Sequence, residues 1–162
     1  MSDVASQANQ PLFSIEKIYL KDLSVEVPNA PQIFLERESP QVDVQLHHNS
    51  SKIDEGIYHT LLTVTVSAKV GEKTMFLVEA GQAGIFTVKN IPDTDVEVVL
   101  AISCPNILFP YARQAVSDAL VAAGFPPVLL NPVNFEALYA AQKQADAGQV
   151  AAPAAPAVAT TH

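Results

Sequence analysis

Four histidines, one cysteine and seventeen acidic residues are what this chain offers for acid–base, nucleophilic or metal chemistry. Their spacing assembles none of it. His47 and His48 are adjacent, so on a strand they point to opposite faces. His59 is alone on its own strand pattern, and His162 ends the chain. The single cysteine, Cys104, rules out an internal disulfide and a multi-cysteine zinc site. It follows Asp93, Asp95 and Glu97 and precedes Pro105, whereas a nucleophilic thiolate wants positive surroundings. Asp93 and Asp95 form a carboxylate pair, but at a helix start, where acids stabilise the helix dipole. There is no GxxxxGK[ST], GxGxxG or HExxH. With no base, orienting group and electrophile brought together, the chain is not expected to be an enzyme, and no metal or cofactor is expected.

Recognition chemistry is what remains. Glu16, Asp22 and Glu26 fall on one face of the first strand pattern, with Asp22 and Glu26 about 13 Å apart along it. Ile18, Leu20, Leu77 and Glu79 complete an open sheet face that is acidic with apolar spots. Large apolar residues also crowd irregular segments: Phe34 and Leu35, Ile107 to Tyr111, Phe125, and Val128 to Leu130. Such a payload is either loop-covered core or a groove for extended apolar peptide.

The elements that position these surfaces follow from apolar periodicity. The chain has 162 residues, enough for one domain with a core of its own. Residues 1–11 read as a flexible N-terminus, 12–147 as a single domain, and 148–162 as a disordered Ala/Pro-rich tail. Strand patterns cover Leu12–Val27, Gln41–His48, Ile57–Val70 and the stretch from Lys73 onward. The Pro-broken segment 28–40 is irregular, SSKIDEG is a loop, Gly71 is a turn, and Gly81 and Gly84 mark a bulge. From Pro92 the spacing turns helical. A capping box at Thr94–Glu97 starts a helix that Pro105 ends or kinks, a second begins near Pro110 and stops at Gly124, and Asn134 caps a third. Strands followed by helices predict an α+β fold with an antiparallel sheet.

Charge narrows the partners. A net charge of −8 disfavours nucleic acid and anionic membrane and favours a cationic protein. The N-terminus shows neither a basic region nor an apolar run of the export type, so the cytoplasm is the expected location.

Three long stretches, IYLKDLSVEVPNAPQIF (18–34), LLTVTVSAKVGEKTMFLVEAGQAGIF (61–86) and SCPNILFPYARQAVSDALVAAGFPPVLLNPVNFEALY (103–139), closely resemble the SecB family of protein-export chaperones. The resemblance covers residues 12–146. It implies a four-stranded antiparallel sheet packed with C-terminal helices, assembled as a dimer of dimers. It implies a cytoplasmic, ATP-independent chaperone that holds unfolded precursor proteins for translocation and delivers them to the SecA motor, with no direct membrane insertion. By motif match, the zinc-bearing end of SecA would dock on Asp22, Glu26, Leu77 and Glu79. The homotetramer contact would fall on Val78, Ala80 and Gln82. The client groove, between segment 28–40 and the last helix, would use Phe34, Leu35, Phe135, Leu138 and Tyr139. Family members often carry a tryptophan in the crossover; this chain has Glu38 there. Beside this stands an adaptor module that binds one folded partner through its acidic sheet. A small lyase using His59 and Asp93 is a distant third.

Overall fold

The computed structural model describes residues 8–150. Most of the two terminal segments, including the Ala/Pro run after Val150, lies outside the described residues. Four long strands come first: β1 (Leu12–Glu26), β2 (Gln41–Asp54), β3 (Ile57–Val70) and β4 (Lys73–Lys89). Their order in the sheet is β1-β4-β3-β2, antiparallel throughout. The crossover from β1 to β2 contains a short 3-10 helix, Gln32–Leu35. A continuous helix, α1 (Asp93–Ala122), and a final helix, α2 (Phe135–Val150), complete the chain. The fold is therefore α+β, as the change of period predicts.

Alternation on β3 runs as expected, with Leu62, Val64, Val66 and Ala68 fully buried. They pair with Gln82, Ala80, Val78 and Phe76 of β4, and directly opposed residues share a face. Helix α1 covers this central strip with Leu108, Ala112, Val116 and Leu120, all fully buried. By length and mean hydropathy α1 could cross a membrane. Here its apolar side is spent on the sheet.

Four expectations change. The loop expected at SSKIDEG is strand up to Asp54, leaving only Glu55–Gly56 for the turn. The Ser50 and Thr60 hydroxyls, 2.7 Å apart across the pair, give those polar residues partners within the sheet. Gly81 and Gly84 pair without a bulge of their own; the strand beside them carries it, since Glu16 and Lys21 of β1 have no partner residue on β4, and the register shifts again only at Ile53 of β2 and Met75 of β4. Gly84 serves close packing instead, since a Cβ there would lie 2.7 Å from the Phe86 ring and 3.1 Å from Leu108. The capping box does not form, because Pro92 is the cap and Thr94 already lies inside the helix. Finally, Pro105 neither ends α1 nor leaves its restart to Pro110. The helix widens to a π-turn at Val99–Ser103 and resumes at Cys104, so that Pro105 stands where a first turn would be and its missing N–H is tolerated.

Both later caps form as predicted. The Ala137 amide donates to Asn134 Oδ1 at 3.0 Å. At the end of α1, Gly124 (φ +93°) donates to the Val121 carbonyl and Phe125 to that of Leu120, a Schellman closure. α2 continues through Gly148 to Val150, beyond the domain limit expected at 147.

Candidate functional site: two surfaces on one sheet

The face of the sheet turned away from α1 carries the acidic residues. Strand register sets them in rows across all four strands: Glu26, Leu77, Ser67 and Asp43; then Ser24, Glu79, Thr65 and Gln45; then Asp22, Gly81, Thr63 and His47. Asp22, Glu26, Leu77 and Glu79 thus share one end of one face, as the sequence implied. The Thr65 hydroxyl donates to Glu79 Oε2 at 3.0 Å, steadying an otherwise exposed carboxylate. Asp43 adds a fourth acid that sequence reasoning missed. The inward alternation of Val42, Val44 and Leu46 places it outward, but only the β2–β3 register sets it in the row with Leu77.

Ile18 and Leu20 do not belong to this face. Each bulge in β1 inserts one residue and reverses the alternation, so the helix-side set is Phe13, Ile15, Ile18, Leu20, Leu23 and Val25. Tyr19 turns to the open face, where its hydroxyl and His59 Nε2 are 2.7 Å apart. Burial, with Lys21 nearby, holds His59 below the usual imidazole range. Glu16 is also on the open face but at its far end, bonded to the Ser14 and Thr87 hydroxyls, which lower its pKa.

Val78, Ala80 and Gln82 lie on the opposite face, under α1. The first two are fully buried and Gln82 is 4% exposed in the single chain. Their side chains pack the protomer's own core, which corrects their expected place on a contact between subunits.

The helix-side face is wider than its cover. Beside the crossover a surface cavity of about 360 Å³ is lined by Phe34, Val42, Met75, Phe76, Phe125 and neighbouring residues, with Glu36 and Glu38 at its edge. Phe34 stacks on Phe125 at 5.1 Å, and Phe125 lies 5.0 Å from Phe76. Gly124 admits this stack, since a Cβ there would meet the Phe34 ring at 3.2 Å. Glu36 is paired with Lys73 at 3.2 Å; Glu38 forms no ion pair among the described residues.

The last helix does not form the other wall of this cavity. α2 packs beside the π-turn, where a second, more polar cavity of about 310 Å³ is lined by His48, Ser50, Glu97, Leu100, Tyr139 and Lys143 among others. Lys143 lies 2.6 Å from Glu97 and depresses its pKa, and the same ammonium sits over the Tyr139 ring. Burial, then neighbouring His47, holds His48 low. Of the expected groove residues, Phe34 lines the first cavity, and Leu35 is exposed beside it on the 3-10 helix. Tyr139 lines the second cavity. Leu138 is half-exposed on α2. Phe135 is core, 3% exposed and edge-on to Phe109, so it is removed from the groove. Phe125, the centre of the aromatic stack, is the contributor that the sequence left undecided between core and groove.

The family model described as preprotein translocase subunit SecB matches residues 6–146. The chain belongs to the SecB family. The SecB protein of Aromatoleum aromaticum is 63% identical over 139 residues, 85% of this chain and 87% of that one. That of Nitrosospira multiformis is 60% identical over 141 residues, 87% and 89% of the two chains. In structure, a SecB-like chaperone of Mycobacterium tuberculosis, solved in complex with an antitoxin peptide, shares the fold. Its TM-score is 0.63 at 15% identity, over 75% of this chain and 90% of that one.

SecB proteins are non-catalytic, and the one thiol fits that role. Burial pushes Cys104 up to about 12, against a weaker opposing hydrogen bond with Thr60. The native protein is expected to leave Cys104 unmodified by an aromatic disulfide reagent at pH 8 over many minutes, while the denatured chain reacts at once. Rapid modification of native protein would mean that α1 lifts from the sheet.

Proposed function

We propose that this SecB protein holds unfolded precursors by their extended apolar segments in the helix-side groove and presents them to SecA through the acidic open face. Family membership makes it a cytoplasmic export chaperone. The observation that carries the division of labour is the placing of two unlike surfaces on opposite faces of one sheet. One has the acidic rows around Leu77, and the other has the aromatic cavity of Phe34, Phe76 and Phe125. A partner bound to one leaves the other free. Apolar burial without a fixed polar pattern suits many clients, whereas exposed carboxylates steer a cationic partner.

The same reading gives a homotetramer, a dimer of dimers. Two surfaces incomplete in a single chain support it. β1 leaves Phe13, Ile15, Leu20, Leu23 and Val25 substantially exposed on its helix side. The outward side of α1 exposes Tyr111 and Val121, and Arg113 on its flank has its Nε buried with no hydrogen-bond partner among the described residues. These, rather than Val78, Ala80 and Gln82, are the surfaces offered to other copies.

The test is a pair of substitutions, Asp22→Asn with Glu79→Gln. Two exposed charges are worth little singly, so binding of the cationic C-terminal end of SecA should weaken by roughly threefold to tenfold at low salt and less at high salt. Calorimetry at two salt concentrations measures this, and suppression of aggregation of an unfolded protein should stay at the wild-type level. Unchanged SecA affinity would remove the acidic face from the docking role. Lost holding would show that the two surfaces are not separate.

A further inference from the structure

The open face changes sign along its length. Its acids Asp22, Glu26, Glu79 and Asp43 hold the rows from Leu77 to Gly81. The next two rows carry none: Tyr19, Ala83, Leu61 and Asn49, then Lys17, Ile85, His59 and Ser51. Lys21, in the bulge beside Asp22, reaches this half: after burial, its charge is what holds His59 below the usual imidazole range. Lys17 and Lys21 are exposed and form no ion pair among the described residues. The acids of this half stand at its far rim and are engaged, Glu16 with the Ser14 and Thr87 hydroxyls and Asp54 with the Glu55 amide.

Beside the two lysines the face is apolar. Tyr19, Leu61 and Ile85 are half-buried, and Ala83 lies flush among them. The Tyr19 hydroxyl is taken by His59 at 2.7 Å, so the residue offers its ring rather than a free polar group. Gly81 keeps the floor low where the acidic rows meet this patch, since a Cβ there would touch Asp22 and Leu61 at 3.4 Å. An extended chain can therefore pass over Gly81 from one half to the other. From Glu79 to Ile85 is about 20 Å of strand.

We infer that the Lys17–Lys21 half of the open face takes an acidic segment of the same partner whose cationic end sits on the acidic rows. This rests on the docking face proposed above and specifies the partner: a cationic block, an apolar stretch of about six residues, then carboxylates. An acidic protein acting alone would meet a chain of net charge −8 and be repelled. The same segment tethered to a block already seated on the acidic rows is held beside the lysines at high effective concentration. Its contribution is direction as much as affinity. A cationic block alone can lie either way along the rows, whereas opposite charge at the far end fixes which way the partner runs. An anionic membrane is the less favoured occupant, because it would meet the acidic rows of the same face together with the lysines.

The test uses the full-length protein and three synthetic peptides. One is a block of lysines. The second joins that block to a cluster of glutamates through a spacer of about six residues carrying Leu and Phe, long enough to span the two halves. The third has glutamines in place of the glutamates. By calorimetry at low salt the glutamate peptide should bind roughly threefold to tenfold more tightly than the glutamine peptide, and the gain should shrink at high salt. Lys17→Gln with Lys21→Gln should erase the gain while the lysine block binds at least as well as before, which also serves as the fold control. Equal affinity of the glutamate and glutamine peptides, or a gain that survives in the double variant, would overturn the inference. Binding of the wild type but not the double variant to phosphatidylglycerol vesicles would give the lysines to a membrane and overturn it too. Failure of the acidic docking face itself looks different: Asp22→Asn with Glu79→Gln would then leave the affinity of the lysine block unchanged.

Discussion

Val78→Asp is expected to destabilise the protomer by about 3–5 kcal/mol, the cost of an uncompensated charge in a dry interior. Val78 is fully buried, opposite Val66 and beneath α1. No basic group is among the buried residues of that core. If the side chain stood on an interface between copies, the change would split the assembly into stable smaller units. Its actual setting predicts that α1 loosens from the sheet, so folding and assembly fail together. The denaturant midpoint and the sedimentation profile, measured on one preparation, separate the two. A wild-type midpoint with dissociated subunits would return Val78 to an interface role.

The second large effect is on client holding. Phe34→Asp should lower affinity for an unfolded client by about thirtyfold, roughly 2 kcal/mol, as for a central aromatic anchor of an interface. Phe34 is 49% exposed and stacked on Phe125, so its removal should disturb the fold far less than a core change. Leu138→Asp is the contrast. That residue lies on α2, outside both cavity linings, and its replacement should leave holding within about twofold, the scale of an ordinary surface change. Fluorescence titration with a slowly folding client, with circular dichroism as the fold control, gives both numbers. Equal losses in the two variants would move the groove toward α2.

What the sequence made legible was periodic. The β3 alternation and the caps at Asn134 and Gly124 are local physics, and all stand as read. Asp22, Glu26, Leu77 and Glu79 were singled out by motif match, and their sharing of one face follows from register. The misreadings came where a non-local partner overrides local preference. Ser50 and Ser51 look like loop residues until β3 supplies their neighbours. Pro105 looks like a stop, yet it falls in the first turn after the π-turn, where its missing N–H is tolerated and the helix runs on to Ala122. Phe135 looks like groove lining because a capped amphipathic helix carries it, yet Phe109 and His48 enclose it. Ile18 and Leu20 were misassigned because bulges have no signature in alternation beyond a phase slip, here marked by Glu16 and Lys21.

Those two unpaired residues set where β1 can change length. Leu20 and Asp22 already oppose adjacent residues of β4, Gln82 and Gly81, as do Ile15 and Lys17 with Phe86 and Ile85. Loss of Lys21 or Glu16 would therefore straighten the strand while every other side chain kept its face. Loss of a paired residue farther from a bulge would instead turn over the side chains between the gap and the nearer bulge, which absorbs the missing residue. One-residue deletions in this strand are therefore best tolerated at, or directly beside, Glu16 and Lys21.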